Sequence, residues 1–250
     1  MNIPISVQLY TLREFNKNDF LGTLKKVSSL GYDGVEFDGY YDLSAEDLSD
    51  NLKRLNLKPF GSHVSFENLK NNLKYEIDFN KKIGNKNIIC PWAKFDSIDD
   101  WASFCKDLNF IGKKLKENGL QLFYHNHDHE FNTIDGKYIF DFIYENTDEN
   151  LVKAEIDTFW VYKANVDPLK LMNKYKNRCS LIHIKDMKND SKKSFEAIGE
   201  GIIDIESIIK YAKDIDIETL IVENDDPKPD GLKNISISIK NLSKMAILKE

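Results

Sequence analysis

The sequence predicts a single (β/α)8, or TIM, barrel, and three observations lead to this α/β fold class. The chain has 250 residues, which is the usual length of such a barrel. Short apolar runs alternate with longer amphipathic stretches, a pattern typical of parallel strands joined by helices. Eight such units occupy nearly the whole chain, and no linker-like stretch divides it. We therefore expect one barrel domain over residues 1–250 rather than two smaller domains.

Eight short, mainly apolar runs predict the strands. In chain order they are Ile3–Leu9, Gly34–Phe37, Leu57–Ser62, Asn87–Cys90, Leu120–Tyr124, Val152–Ile156, Leu181–Ile184 and Thr219–Val222. Most are too short and too apolar for an amphipathic helix, which favours strands buried on both faces.

The longer stretches between these runs predict eight helices. They are Asp19–Leu30, Ser44–Leu55, Phe66–Ile83, Ile98–Asn118, Tyr138–Asn146, Pro168–Lys176, Ile205–Lys213 and Gly231–Leu248. Four of the helix ends carry a glycine or asparagine where a left-handed residue is expected, at Gly31, Asn56, Gly84 and Gly119.

Composition narrows the function classes. The chain has 35 basic and 41 acidic side chains and a net charge of −6, which argues against nucleic acid as the main partner. No apolar run approaches the roughly 18 residues of a membrane span. The N-terminal sequence MNIPISVQLY has no signal-peptide pattern, so we expect a cytoplasmic protein. The three cysteines form no CxxC pair, and we expect buried thiols.

Histidines and carboxylates gather at the ends of the predicted strands. All five histidines lie at or just beyond a strand's C-terminus, namely His63, His125, His127, His129 and His183. The C-terminal ends of barrel strands hold the catalytic groups of such proteins. Histidine together with carboxylates indicates a divalent metal, and these residue types alone do not choose among Mn, Mg, Co, Fe and Zn.

Individual positions suggest roles. Asp157, His183 and Glu223 each follow an apolar run, so they should face the barrel mouth and ligate the metal. Glu155 shares the face of Asp157 one layer deeper, where it needs a partner such as Lys185, or it takes part in catalysis. Lys185 shares the face of His183, which suggests substrate binding or proton transfer.

Aromatic residues near the strand ends are harder to assign. Trp160 is either a platform for a sugar ring or part of the core. Tyr124 and Trp92 are interpreted more simply as packing residues. Asp225 shares the face of Glu223, and a role for it as a polar contact stays open.

Six segments of the chain together resemble a known family. They are GYDGVEFDGYY, YHNHDHEF, EIDTFW, LIHIKDM, IGEGIID and IVEND, in this order between Val7 and about Asp226. The set resembles the sugar phosphate isomerase/epimerase family with its xylose isomerase-like barrel. The resemblance implies one divalent ion, most often manganese, and a small sugar or sugar derivative as substrate. Whether the chain forms a homo-oligomer stays open.

The resemblance also implies the metal ligands. By motif, Asp157, His183 and Glu223 come from strands six, seven and eight. Epimerases of the family usually have a glutamate at the end of strand five, whereas this chain has His125. Either His125 is the fourth ligand, which the alignment favours, or Glu130, five residues later, reaches back.

This departure bears on the reaction. In the two-glutamate epimerases of the family, the carboxylates of strands five and eight face opposite sides of the sugar carbon and exchange its proton. A histidine at position 125 therefore puts symmetric 3-epimerisation in doubt. Trp160 stands where those enzymes tend to have a substrate-contacting histidine. The pattern is closer to members that act on keto-sugars or keto-inositols, some of which eliminate water or a glycosidic leaving group.

A metal-bound carbonyl acidifies the neighbouring C–H bond, and a positioned base then forms an enediolate. The residues expected to take part in catalysis are Glu223, Lys185, His127 and His63, and Glu36 is a further candidate base. The residues expected to bind substrate are Glu36, Trp160, Glu155 and Tyr10.

The function predicted first is a metal-dependent isomerase or epimerase acting on a ketose, keto-sugar or sugar phosphate. A keto-sugar or keto-inositol dehydratase or lyase on the same barrel is the main alternative, followed by a non-catalytic sugar-binding barrel. A metal-free glycoside hydrolase using Glu155 and Glu223 and a DNA-repair endonuclease are less favoured, the latter because of the negative charge. The sequence does not decide whether the substrate is phosphorylated.

Overall fold

The computed structural model describes residues 3–245, and its strands form a closed parallel barrel. The barrel strands are β1 (Ile5–Gln8), β2 (Gly34–Phe37), β3 (Lys58–His63), β4 (Asn87–Cys90), β5 (Gln121–His125), β6 (Val152–Asp157), β7 (Cys179–Ile184) and β8 (Thr219–Val222). Each strand pairs with its neighbours in the sequence, and β1 also pairs with β8, which closes the barrel. The predicted fold class is confirmed.

Helices surround the barrel in the described part of the chain. They are α1 (Arg13–Ser29), α2 (Ala45–Leu55), α3 (Phe66–Asn71), α4 (Leu73–Ile83), α5 (Ile98–Glu117), α6 (Ile139–Glu145), α7 (Thr158–Lys163), α8 (Pro168–Tyr175), α9 (Ile205–Asp214) and α10 (Gly231–Leu242). Two small hairpins extend the loops after β5 and β7, pairing Thr133–Ile134 with Lys137–Tyr138 and Asp186–Met187 with Phe195–Glu196.

Local chemistry sets the helix ends. The side chains of Ser44, Ser65 and Ser97 each accept a hydrogen bond from the backbone N–H three residues further on, which caps α2, α3 and α5. The positive φ angles expected at four helix ends are present at Gly31, Asn56, Gly84 and Gly119.

The helices differ from the prediction in three places. The stretch predicted as one helix, Phe66–Ile83, is two helices because Asn72 takes a non-helical φ of −126° and ψ of 19°. The first helix starts at Arg13, and the predicted start at Asp19 coincides with a break where φ is −156°. The short helix α7 was missed, because six residues are too few to show a helical period.

The last helix begins at Gly231 as predicted and ends at Leu242. The predicted end at Leu248 lies outside the described residues.

Two apolar clusters pack the fold. The larger one fills the space between strands and helices. The smaller one fills the barrel interior and consists of Ile89, Phe123, Leu181 and Ile221, each at most 1% exposed. Side chains two residues apart on a strand share a face, so the inward positions that follow Phe123, Leu181 and Ile221, nearer the barrel mouth, are the polar residues His125, His183 and Glu223.

Among the described residues, no helix is long and apolar enough to cross a bilayer. The three cysteines are buried and unpaired, as the sequence predicts.

Candidate metal centre and active-site mouth

Four buried residues at the C-terminal ends of neighbouring strands bring their ligand atoms together. His125, Asp157, His183 and Glu223 place one such atom each within 4.8 Å of one another, and we call these residues the mouth set. Each is at most 5% exposed. Two imidazole nitrogens and two carboxylate oxygens form a donor set that Mn, Fe, Co or Zn accepts.

Asp157 fits the role of a ligand through one oxygen. Its Oδ1 accepts hydrogen bonds from the backbone N–H groups of Phe159 (2.9 Å) and Trp160 (3.1 Å), which caps α7. Its Oδ2 is buried and accepts no well-aligned hydrogen bond in the described structure, although the Lys185 ammonium lies 3.0 Å away. This oxygen can still meet a metal ion, so the mouth set fits a divalent metal.

Lys185 lies directly above the mouth set. Its Nζ is 2.7 Å from Glu223 Oε2, 2.9 Å from Asp225 Oδ2 and 3.0 Å from Asp157 Oδ2, and the side chain is 1% exposed. Burial alone would lower the pKa of Lys185, but the three carboxylates raise it well above the usual value for lysine. Lys185 is therefore an ammonium ion at neutral pH.

The expected pairing of Glu155 with Lys185 is wrong. In the register of β6 with β7, Lys185 lies two inward layers above Glu155. Glu155 Oε2 instead lies 2.9 Å from Nδ1 of His125, 3.1 Å from Nε2 of His63 and 3.3 Å from Nε2 of His183. Its partners are imidazoles.

Glu36 has a similar position on the other side of the barrel interior. Its Oε2 lies 2.7 Å from Nε2 of His183 and 3.0 Å from Nε2 of His63, and it accepts a hydrogen bond of 2.8 Å from Gln8. Both Glu36 and Glu155 are fully buried.

His63, His125, Glu155 and His183 form a second group with ligand atoms within 4.8 Å of one another, and we call it the interior set.

The charges of this interior depend on one another. Burial alone would lower the pKa of His63, but the carboxylates of Glu36 and Glu155 raise it to about 10. Burial alone would raise the pKa of Glu155, but the imidazoles of His183 and His63 lower it to about 2. Burial raises the pKa of Asp157 to about 6. Buried carboxylates of this kind need cations beside them.

A cavity of about 380 Å³ opens above the mouth set. Its lining residues are Tyr10, Asp38, His63, Ser65, Pro91, Trp92, His125, His127, Lys185, Glu223 and Asp225. All four residues predicted to take part in catalysis line it. Of those predicted to bind substrate, Tyr10 lines the cavity, whereas Glu36, Glu155 and Trp160 do not.

Two polar lining residues were given no role in the sequence analysis although a signal was present. Asp38 is two residues beyond Glu36, and Ser65 is two residues beyond His63. The inward alternation therefore continues past the ends of β2 and β3, where the predicted strands stop.

The aromatic residues divide differently from expectation. Tyr124 is fully buried, as predicted, but Trp92 is 52% exposed at the cavity rim, so its assignment to packing is wrong. Trp160 is half-buried beside the cavity, its ring 5.2 Å from that of His127. Its Nε1 and the Nδ1 of His127 are buried without a partner in the described structure.

Glu130, the alternative fourth ligand, is held elsewhere. It accepts hydrogen bonds from the Tyr124 hydroxyl (2.6 Å) and the His127 backbone N–H (2.8 Å), and it lies 3.2 Å from Nε2 of His129. It belongs to neither the mouth set nor the interior set.

The glycine pair of IGEGIID surrounds a buried carboxylate. Asp186 accepts backbone hydrogen bonds from Met187 (2.8 Å), Gly199 (2.9 Å), Gly201 (3.0 Å) and Ile203 (3.1 Å). A Cβ at Gly201 would lie 2.2 Å from Asp186 Oδ1, so this position requires glycine. The four bonds fix the segment that follows β7 beside the mouth.

A larger cleft, of about 640 Å³, lies between the start of α8, the segment after β7 and the start of α9. None of the predicted site residues lines it. The chemistry therefore belongs to the smaller cavity, where the candidate ligands converge.

Comparison with known proteins identifies the family. Residues 24–244 match the family described as xylose isomerase-like TIM barrel. The chain belongs to this family. The family named from the sequence is thereby confirmed.

Curated proteins similar in sequence to this xylose isomerase-like barrel include inosose dehydratases. Inosose dehydratase of Clostridium perfringens is 27% identical over 158 residues, which are 57% of this chain and 52% of the relative. The chain thus spans about half the length of the curated relatives that it matches first.

Two solved structures show the same fold. A sugar phosphate isomerase/epimerase from Parabacteroides distasonis has a TM-score of 0.87 at 23% identity, covering 99% of this chain and 96% of its own. The IolI protein, solved with a zinc atom, has a TM-score of 0.75 at 16% identity, covering 99% and 98%. At these identities the likeness concerns the fold of this xylose isomerase-like barrel.

Proposed function

We propose that this protein is a divalent-metal-dependent lyase that removes water from a cyclic keto-polyol. The observation that carries the proposal is the ammonium of Lys185, placed in the cavity wall 2.7 Å from Glu223. A dehydration needs a base for a C–H proton and an acid for the leaving hydroxyl, and these two residues offer both. The inosose dehydratases among the relatives support the same reaction class.

The mouth set would hold the metal. A divalent ion there would polarise a ketone carbonyl and acidify the neighbouring C–H bond. The ion expected from the sequence is manganese, and the zinc atom bound by the IolI protein, which has the same fold, supports a transition metal.

The side chains of the cavity then complete the reaction. Glu223 takes the proton from the carbon beside the carbonyl, and that C–H electron pair forms a C=C bond. The C–O bond at the next carbon breaks, and the hydroxyl leaves as water with a proton from Lys185. Glu223 then passes the first proton to the amine of Lys185 across their contact of 2.7 Å. The balance is one keto-polyol converted to one enone and one water.

The charge of the cavity favours an unphosphorylated substrate. Among its described lining residues, Lys185 is the one lysine or arginine, and three carboxylates surround it. Arg13, at the rim, donates hydrogen bonds to the backbone carbonyls of Tyr10 and Asp225. A phosphate would lie beside Asp38 and Asp225, and the described lining offers it no lysine or arginine other than Lys185, which the three carboxylates already surround.

The test uses the purified chain loaded with Mn²⁺ and supplied with inosose in heavy water. We expect a product lighter by one water, with enone absorbance, and loss of turnover on chelation. Lys185→Met should lose turnover, and Lys188→Met, a change at a partly exposed lysine that pairs with Glu196, should keep it. A product that has exchanged a C–H for deuterium without losing water would replace the lyase by the isomerase or epimerase predicted from the sequence. Turnover that survives complete removal of the metal would refute the metal-dependent reaction.

A further inference from the structure

The two histidines of the mouth set each have their ring nitrogens in different surroundings. In His125, Nδ1 lies 2.9 Å from Glu155 Oε2, and Nε2 lies 3.7 Å from Asp157 Oδ2. In His183, Nε2 lies 2.7 Å from Glu36 Oε2, and Nδ1 lies 2.8 Å from Glu223 Oε2. Each ring therefore has one nitrogen towards the mouth set and the other towards a deeper glutamate.

A neutral imidazole has one N–H and one lone pair, and a metal needs the lone pair. The N–H of a ligating histidine usually donates to a carboxylate or carbonyl, which fixes the ring. An ion in the mouth set would use Nε2 of His125 and Nδ1 of His183. An ion in the interior set, next to Glu155, would use Nδ1 of His125 and Nε2 of His183. The two sites thus require opposite nitrogens.

Three observations favour the mouth set. His125 and Glu223 line the cavity and can be reached by a substrate, whereas Glu155 does not line it. Oδ2 of Asp157 is buried and accepts no well-aligned hydrogen bond in the described structure, with the Lys185 ammonium 3.0 Å away as a neighbouring charge. Oε2 of Glu155 already has three imidazole nitrogens within 3.3 Å, although Oε1 of the same residue is buried without a hydrogen-bond partner in the described structure.

We propose that Glu155 and Glu36 are positioning residues that decide which nitrogen of each histidine meets the metal. Glu155 holds the N–H of His125 at Nδ1, and Glu36 holds the N–H of His183 at Nε2. His63 contacts both carboxylates through its Nε2, at 3.0 and 3.1 Å, and links them across the barrel. This inference rests on the metal-dependent function proposed above.

The first test needs no substitution. The chain is labelled with ¹⁵N and loaded with diamagnetic Zn²⁺. Long-range ¹H–¹⁵N spectra then show which ring nitrogen carries the proton in each of its five histidines. We expect the proton on Nδ1 of His125 and on Nε2 of His183. The reverse pattern with zinc bound would overturn this inference and leave the metal-dependent reaction standing. Failure to retain zinc after dialysis would overturn both.

A second test measures affinity. Glu36→Gln and Glu155→Gln should each weaken Zn²⁺ binding about 10- to 100-fold in a competition titration with a chelating dye. Glu76→Gln is the matched control, because Glu76 is a buried glutamate outside the site, with the Tyr40 hydroxyl 2.9 Å away. The absorption spectrum of bound Co²⁺ should shift in the first two variants and not in the control. Unchanged affinity and spectrum in both variants would overturn the proposal.

Discussion

Asp186→Asn should destabilise the fold strongly, because the carboxylate of Asp186 is the common acceptor of the segment after β7. Each oxygen accepts two backbone N–H groups at 2.8–3.1 Å, and the residue is 1% exposed. In asparagine one oxygen becomes an NH₂ group, so two N–H donors lose their acceptor and face another donor. Hydrogen bonds to a charged group contribute about 1.5–3 kcal/mol each. Two lost bonds therefore give a loss of about 3–6 kcal/mol.

The assay is urea unfolding followed by circular dichroism and by tryptophan fluorescence. Asp226→Asn is the control, since Asp226 is an exposed carboxylate that pairs with Lys228 on the surface. The free energy of unfolding should fall by the stated amount for Asp186→Asn and stay close to the parent value for Asp226→Asn. Equal small losses in the two variants would refute the reasoning, because Asp186 would then not hold its segment in place.

Four further substitutions test the site and the barrel. Asp157→Ala and His183→Ala should each leave the purified protein without bound metal in elemental analysis, whereas the control Glu76→Gln should keep its metal. Full metal occupancy in the first two variants would exclude Asp157 and His183 as ligands. Phe123→Ala should lower the free energy of unfolding by about 3–5 kcal/mol, since Phe123 is 1% exposed inside the barrel, and a negligible loss would contradict that packing. In the presence of a chelator, Lys185→Met should lower the free energy of unfolding by about 3–5 kcal/mol, because the loss of the ammonium leaves buried carboxylates unpaired. An unchanged free energy of unfolding would show that other groups compensate those charges.

The sequence predicts the barrel well because its signal is local. Each strand is a short apolar run, and the two-residue period assigns the face of every side chain on it. This period correctly places Glu155 on the face of Asp157 and one layer deeper. It also suffices to bring His125, Asp157, His183 and Glu223 to the same end of the barrel.

Contacts between strands are not local, and here the sequence prediction fails. The partner of Glu155 depends on the register between β6 and β7 and on which side chains reach across the barrel interior. Neither can be inferred from a single sequence. The exposure of Trp92 could not be predicted for the same reason. The sequence pattern of an aromatic residue after a buried strand is identical whether the side chain packs inward or borders a cavity. The burial of Glu36 below the mouth also follows from neighbours distant in sequence, above all His183.

The central claim is that one divalent ion lies in the mouth set. Anomalous X-ray diffraction at the manganese edge, on crystals grown with Mn²⁺, locates such an ion directly. The account predicts a single anomalous peak bounded by His125, Asp157, His183 and Glu223, on the side facing the cavity. A peak among His63, Glu155 and Glu36 instead, or no peak in crystals saturated with Mn²⁺, would contradict it.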